Sequence, residues 1–191
     1  EFSFPKLIKS IFREERYPAD IQGLFYKKDG KIFGERNQRL IELGPYSNMD
    51  FALFDMDFYI NYLKETGQSF EMMASRGCRG NCAFCYKFCG YGISKRNTDL
   101  LLDEIQKIIQ KFGIRKIYFV DENFLDSKND FFEFIKKKRE RGMEFTFIGQ
   151  ARLDCIDKET LEIGKENGLT CISAGIESYS QETLDRINKA I

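Results

Sequence analysis

Residues 98–120 read TDLLLDEIQKIIQKFGIRKIYFV, a helical pattern that stops at a glycine and leads at once into a short apolar run. One face of the helical part is apolar and consists of Leu101, Ile105, Ile108 and Phe112. Thr98 is positioned to cap the start of this helix, and Gly113 is positioned to end it. The run 116–120 is rich in strand-forming residues. The stretch therefore predicts a helix that is followed directly by a buried strand.

The same order of a short apolar run and a longer helical segment occurs four times from residue 70 onward. The predicted strands are 70–75, 116–120, 144–149 and 170–176. The helices predicted to follow them are 98–112, 129–141, 157–167 and 180–191. Such alternation predicts parallel strands joined by right-handed crossovers, in an α/β fold whose ligand sites lie at the carboxyl ends of the strands. An open sheet and an incomplete (β/α) barrel both fit, because four units cannot close a full barrel.

The first part of the chain has a different pattern. Apolar residues recur at helical spacing before Pro18, at Leu7, Ile8, Ile11 and Phe12. Asp29 and Gly30, a pair favoured in tight hairpin turns, separate two partly apolar stretches at 21–26 and 31–43. This region therefore predicts a helix and a β-hairpin.

We divide the chain at residue 69. The stretch 49–63 is mixed apolar and acidic, and we expect it to be helical. Residues 1–69 are then a small helix-and-hairpin linker, and residues 70–191 are a core of four β/α units. The sequence begins without methionine and ends in a helix-like run that has no glycine or proline stop, so we expect a piece of a longer protein.

The composition excludes several classes of protein. The chain has 191 residues and no histidine, so Ser-His-Asp triads and His-ligated zinc are impossible within it. Its apolar runs are far shorter than the roughly 20 residues of a membrane span. The 30 basic residues balance the 30 acidic ones, and the basic run 136–139 is typical of a solvated helix face. We therefore expect a globular protein with no membrane span and no nucleic-acid partner.

A cysteine cluster follows the first predicted strand. Its C-x3-C-x2-C array consists of Cys78, Cys82 and Cys85. Soft sulfur ligands on one short loop indicate zinc, copper(I) or an iron–sulfur cluster, and three ligands would leave one iron of a cubane open. Cys89 could supply a fourth ligand, although the second C-x2-C pair of a zinc ribbon is missing. Cys155 and Cys171 are expected to be small core residues.

With the aromatic Phe84 just before its last cysteine, this array resembles the signature of the radical S-adenosylmethionine (SAM) enzymes. The resemblance implies an incomplete (β/α) barrel in which Cys78, Cys82 and Cys85 bind a 4Fe-4S cluster. It also implies that the open iron chelates SAM, and that reduction of the cluster cleaves SAM to methionine and a 5′-deoxyadenosyl radical. The protein would position these groups and exclude water and oxygen.

Further segments are similar to the branch of this family that carries a cobalamin-binding domain. They are the stretches 21–30, 43–59, 121–124 and 175–178. The resemblance implies methyl transfer or rearrangement on an unactivated substrate. The sequence contains no D-x-H-x-x-G cobalamin motif, so any cobalamin would bind through a domain outside this chain. We expect this chain to be inactive alone, because four units leave the barrel incomplete.

The resemblance also suggests which residues contact SAM. The predicted contacts are Phe84, Tyr86, Asp121, Glu122, Asn123, Gln150, Arg152, Glu177 and Ser178. Phe84 and the backbone of Tyr86 would lie against the adenine, and the alternative role for Phe84 is packing alone. The polar end of the second strand would accept hydrogen bonds from the amino group and ribose of SAM. The alternative there is a solvated turn that caps the next helix.

The later candidates have alternatives of their own. Arg152 could clamp the carboxylate of SAM through two hydrogen bonds, or it could form a surface ion pair with Asp154. Glu177 and Ser178 could bind the ribose or the methionyl amine. A helix N-cap at Ser178 or Ser180 is the alternative for the serines.

Two other functions compete with a small-molecule radical SAM enzyme. One is a non-catalytic zinc or iron–sulfur module that uses Cys78, Cys82, Cys85 and Cys89. The other is an RNA-modifying enzyme, which the neutral net charge disfavours. For the enzyme we expect a small-molecule substrate, an electron donor such as flavodoxin or ferredoxin, and a reducing, anaerobic cytoplasm.

Overall fold

The computed structural model describes residues 3–13, 21–34, 43, 49–86 and 92–191. The chain divides into two compact units, Glu1–Arg39 and Leu40–Ile191. The elements of the 49–66 stretch thus belong to the same unit as the strand–helix repeats. The division into a linker over 1–69 and a core over 70–191 stays a prediction.

The first unit contains a helix and a hairpin, as predicted. Its elements are α1 (Ser3–Phe12), β1 (Tyr26–Lys28) and β2 (Lys31–Phe33). Asp29 and Gly30 have φ angles of 48° and 78°, the left-handed pair that a two-residue turn needs to match the twist of its strands. Strand β1 begins at Tyr26, where the predicted first stretch ends, and residues 35–42 of the predicted second stretch lie outside the described residues.

The second unit contains the remaining elements. They are a 3₁₀ helix (Phe51–Leu53), α2 (Met56–Thr66), β3 (Phe70–Met72), β4 (Ser75–Cys78), β5 (Gly92–Lys95), α3 (Thr98–Phe112), β6 (Lys116–Phe119), α4 (Lys128–Glu140), β7 (Thr146–Arg152), a second 3₁₀ helix (Leu153–Cys155), α5 (Lys158–Glu166), β8 (Leu169–Gly175) and α6 (Gln181–Arg186). Strands β3, β6, β7 and β8 form one parallel sheet in that order. The predicted α/β fold, an incomplete (β/α) barrel of four units, is confirmed.

Several predicted boundaries need correction; the third strand, for example, covers Thr146–Arg152 instead of 144–149. The first strand ends at Met72 instead of residue 75, because the chain turns there and starts β4, which leaves the parallel sheet. Asn97 caps α3 in place of Thr98, since its side chain accepts hydrogen bonds from two backbone N–H groups of the first turn. The last helix, α6, ends at Arg186 and not at residue 191.

Aromatic side chains fill the core between the sheet and its helices. Phe119 and Phe124 stack with ring centroids 4.3 Å apart, and the ring of Phe147 lies 6.0 Å from each. The apolar face predicted for α3 is largely buried, and Ile105 and Ile108 are fully inaccessible. Gly113 ends α3 with a left-handed φ of 68°, as predicted.

Strand β8 lies at one edge of the described sheet. Apart from Leu169, its residues are half-buried or exposed, and Cys171 is exposed. The expectation that Cys171 is a core residue is therefore wrong, because its strand has only one neighbour in the described sheet. In the described part of the chain, no helix is both long enough and apolar enough to cross a membrane.

Candidate functional site

The cysteine loop begins on a hairpin that stands at the carboxyl end of the parallel sheet. Strand β4 follows β3 after two residues and pairs antiparallel with β5, with Ser75 opposite Lys95 and Cys78 opposite Gly92. Cys78 is thus the last residue of the first arm, and Cys82 and Cys85 lie on the loop beyond it. Residues 87–91, which include Cys89, lie outside the described residues.

Two neighbouring carboxylates at the end of β6 hold the first arm of this hairpin. Asp121 is completely buried, and its carboxylate accepts hydrogen bonds from the backbone N–H of Ala74 (3.0 Å) and from both the N–H and the hydroxyl of Ser75. Glu122 accepts a hydrogen bond of 2.9 Å from the N–H of Gly77, the residue before the first cysteine. Because β4 pairs only with β5 in the described sheets, these carboxylates fix its position on the parallel sheet.

The buried position of Asp121 has an electrostatic consequence. Burial raises the pKa of the Asp121 carboxyl to about 6, and the negative charge of Glu122 acts in the same direction. The hydrogen bonds from Ser75 and Ala74 act in the opposite direction, because they stabilise the ionised form. Because Asp121 is bonded to Ala74 and Ser75, it supports the start of the hairpin directly.

Asn123 joins the end of β6 to the end of β7. It is buried, and its side-chain oxygen accepts a hydrogen bond of 3.1 Å from the N–H of Arg152. Its amide nitrogen donates to the sulfur of Cys155 at 3.4 Å. Cys155 is half-buried at this position, and burial raises the pKa of its thiol. Asn123 therefore keeps Arg152 at the edge of the site.

Arg152, the last residue of β7, reaches the cysteine loop. One terminal nitrogen, Nη1, lies 3.5 Å from the sulfur of Cys82, and Nη2 donates to the carbonyl oxygens of Lys189 and Ala190 at 2.8 and 3.0 Å. The guanidinium also forms the predicted ion pair with Asp154, at 2.9 and 3.0 Å. The arginine side chain is 12% exposed and that of Asp154 is 42% exposed, so the ion pair of the alternative hypothesis is formed, with its arginine largely shielded from solvent.

A second chain of contacts runs from the end of β8 to the cysteine loop. Glu177 has a φ of 62°, in the left-handed region that non-glycine residues rarely adopt and that is often found at functional sites. Its carboxylate pairs at 3.1 Å with the ammonium of Lys189, a buried residue. That ammonium lies 5.8 Å from the ring centroid of Phe84. The rings of Phe84 and Tyr86 are themselves exposed.

The last residues of the chain also contact the cysteine loop through hydrogen bonds. The N–H of Ala83 donates to the carbonyl of Ile187 at 2.8 Å, and the side-chain amide of Asn188 donates to the carbonyl of Asn81 at 2.7 Å. Sequence reasoning missed Lys189 and Asn188, because no motif marks them and only the folded topology brings them here.

The other candidates have local partners. Gln150 donates to the hydroxyl of Tyr118 at 2.6 Å, and the hydroxyl of Ser178 accepts from the N–H of Ser180 at 3.1 Å. Ser180 caps α6, since its side chain accepts from the N–H of Thr183. The structure thus brings the predicted strand-end residues to one end of the sheet, and several of them hold other protein groups.

The donor chemistry of the loop fits an iron–sulfur cluster. Cys78, Cys82 and Cys85 are free thiols, and the sulfur of Cys78 accepts a hydrogen bond from the N–H of Gly80 at 3.3 Å. Over the described residues, no three Cys, Asp or Glu side chains are close enough together to hold one metal ion. Cysteine thiolates are the ligands that hold iron–sulfur clusters, and hydrogen bonds to the sulfurs help to set the reduction potential of the cluster.

Comparisons with known proteins find several that are similar to this chain. Residues 72–191 match the family model described as the radical SAM superfamily. An uncharacterized methyltransferase of Pyrococcus horikoshii is 28% identical over the whole chain, which spans 41% of that protein. The cytidylyl-2-hydroxyethylphosphonate methyltransferase of Streptomyces wedmorensis is 26% identical over 62% of the chain, which corresponds to 23% of its own length.

A solved structure shares the fold. The radical SAM methyltransferase TsrM of Kitasatospora setae, whose structure contains cobalamin and a [4Fe-4S] cluster, covers 96% of this chain with a TM-score of 0.69 at 15% identity. The match spans 38% of that protein. The family model covers well over half of the present chain, and its matched residues include all three cysteines of the array. The chain belongs to the radical SAM superfamily.

Proposed function

We propose that this chain forms the SAM-cleaving core of a radical SAM methyltransferase. The observation that carries the proposal is the loop of three free thiols at the carboxyl end of a parallel sheet, in a chain of this family. Cys78, Cys82 and Cys85 would hold a 4Fe-4S cluster and leave one iron for SAM. When bound, the cluster supplies the electron that cleaves SAM to methionine and a 5′-deoxyadenosyl radical.

The residues of the chain would bind SAM and position the loop. Glu177, Phe84 and Tyr86 are exposed next to the loop and remain the best candidates for contacts to the amino group and the adenine. Asp121 and Asn123 are buried and bonded to other protein groups, so we infer that they act on SAM indirectly, Asp121 by holding the hairpin of the loop and Asn123 by positioning Arg152. The remaining predicted contacts, Glu122, Gln150, Arg152 and Ser178, stay predictions.

Methyl transfer is the reaction that the relatives support. Both relatives described above are named methyltransferases, and the solved structure with the same fold is a radical SAM methyltransferase. A small-molecule substrate fits the family. We further propose a reducing, anaerobic cytoplasm, an electron donor such as flavodoxin or ferredoxin, and cobalamin bound through a domain outside this chain.

Reconstitution of the full-length protein without oxygen tests the proposal. We expect about four irons and four sulfides per chain, together with a change in the electron paramagnetic resonance spectrum of the reduced cluster when SAM is added. Cys82→Ala should lose the cluster. Cys155→Ala should retain it, because this thiol contacts Asn123 and is not part of the array. A spectrum that does not respond to SAM would refute the proposal.

The same preparation separates the enzyme from a non-catalytic metal module. In the module, Cys89 would complete a four-thiolate site, so Cys89→Ala should abolish metal binding as fully as Cys82→Ala does. In the enzyme, Cys89→Ala should keep the iron content and the response to SAM. We expect the second result.

A further inference from the structure

We propose that Arg152 is a positioning residue of the cluster site: it donates a hydrogen bond to the sulfur of Cys82 and thereby raises the reduction potential of the cluster. The inference rests on the proposed function, because it concerns the cluster that the three cysteines would hold. It assigns Arg152 a role other than the predicted clamp on the carboxylate of SAM.

All three nitrogens of the Arg152 guanidinium have protein partners. Nε and Nη2 face the two carboxylate oxygens of Asp154, and Nη2 also contacts two backbone carbonyls, those of Lys189 and Ala190. Nη1 faces the sulfur of Cys82. To clamp SAM, the side chain would have to give up Asp154 or the two carbonyls, so its bonding pattern favours a fixed orientation toward the sulfur.

At Gly80, the cysteine loop leaves space for the guanidinium of Arg152 to reach the sulfur of Cys82. A Cβ atom at residue 80 would lie 2.7 Å from Nη1 of Arg152 and 3.4 Å from the sulfur of Cys78. The first distance is shorter than real Cβ contacts, so any other residue would displace the guanidinium or the loop. Gly80 therefore allows the guanidinium to approach the cysteine loop beside the sulfur of Cys82.

A cation at this position stabilises the reduced cluster. Reduction adds a negative charge, and N–H donors and positive charge near the sulfurs favour the more negative state. Arg152 is only 12% exposed, so water and salt screen its charge weakly. Asp154 offsets part of this charge, but it is 42% exposed and lies on the far side of the guanidinium from the loop contact.

The test measures the midpoint potential of the reconstituted full-length protein for three variants. In R152Q, which removes the charge, the ratio of reduced to oxidised cluster at a fixed solution potential should fall about tenfold, equivalent to about 59 mV for one electron. R152K keeps the charge but lacks the planar guanidinium, so its ratio of reduced to oxidised cluster should fall less than that of R152Q. G80A leaves the arginine intact and displaces it, so its ratio should fall in the same direction.

Arg79→Gln is the matched control. Arg79 is next to Cys78, but it is 68% exposed and pairs with Asp126, so its loss should leave the potential almost unchanged. If R152Q and G80A retain the cluster at the wild-type potential, the inference is wrong. If R79Q shifts the potential as much as R152Q, any positive charge near the loop has the same effect, and a specific role for Arg152 is refuted. Failure of the proposed function itself would be seen separately, as a wild-type cluster that does not respond to SAM.

Discussion

Asp121 is a fully buried carboxyl group at the base of the cysteine hairpin. Its position beside the loop could be predicted, because the ends of parallel strands meet at one edge of a sheet. Its partners could not be predicted, since they are backbone N–H groups of Ala74 and Ser75, which no side-chain pattern reveals. The same limit applies to Arg152, whose ion pair with Asp154 is local while its contact with Cys82 spans 70 residues.

The raised pKa of Asp121 predicts how stability depends on pH. Its folded pKa of about 6 lies above the ordinary value of 3.8, so the folded state holds this proton more tightly than the unfolded chain does. The stabilisation is complete below pH 3.8 and is lost as the pH rises through about 6. Its contribution to the free energy of unfolding should fall by at most about 1.4 kcal/mol per pH unit in this window.

Denaturant unfolding between pH 4 and pH 7 measures this contribution as the difference between the wild type and Asp121→Asn. The variant lacks the titrating proton, so the decline attributed to Asp121 should be absent from its profile. Asp185→Asn, at an exposed position on α6, should follow the wild-type profile. Equal slopes for the wild type and Asp121→Asn would contradict the assignment.

At the scale of elements, the hairpin of β4 and β5 was not predicted. The sequence of β4, Ser-Arg-Gly-Cys, has no alternation of apolar and polar residues. It is extended because it pairs with β5, beyond the cysteine loop, and because two carboxylates hold it. The strand–helix units were predicted because each contains its own periodic signal. A strand that depends on distant partners has no such signal.

Glu122→Ala tests whether a carboxylate holds this hairpin. Without an acceptor, the amide hydrogen of Gly77 should exchange with solvent about tenfold faster in the cluster-free protein, since a hydrogen bond to a charged group is lost. Glu122→Gln keeps a side-chain oxygen and should restore most of the protection. Glu71→Ala, at an exposed position on β3, should leave this amide unchanged. Rapid exchange in the wild type would show that the hydrogen bond is not formed.

At the scale of the whole molecule, the carboxyl and amino ends of the parallel sheet carry different kinds of residue. The three cysteines, Asp121, Arg152 and Glu177 all lie at or beyond the carboxyl ends of strands, whereas tight glycine turns lead into the amino ends. Gly113 precedes β6 and Gly168 precedes β8, with φ angles of 68° and 97°. In parallel α/β folds, the amino ends mainly serve stability. Changes at these glycines should therefore affect folding and spare the cluster.

Gly168→Ala and Gly113→Ala form a matched pair for this expectation. Both place a side chain at a left-handed backbone position, which costs about 1 kcal/mol. At Gly113 the added Cβ meets open space, whereas at Gly168 it would lie 2.5 Å from the carbonyl oxygen of Phe145. Unfolding in denaturant should therefore show a loss of about 1 kcal/mol for Gly113→Ala and about 3 kcal/mol for Gly168→Ala. Both variants should bind as much iron per folded chain as the wild type does. A selective loss of iron in Gly168→Ala would show that the amino and carboxyl ends of the sheet are coupled.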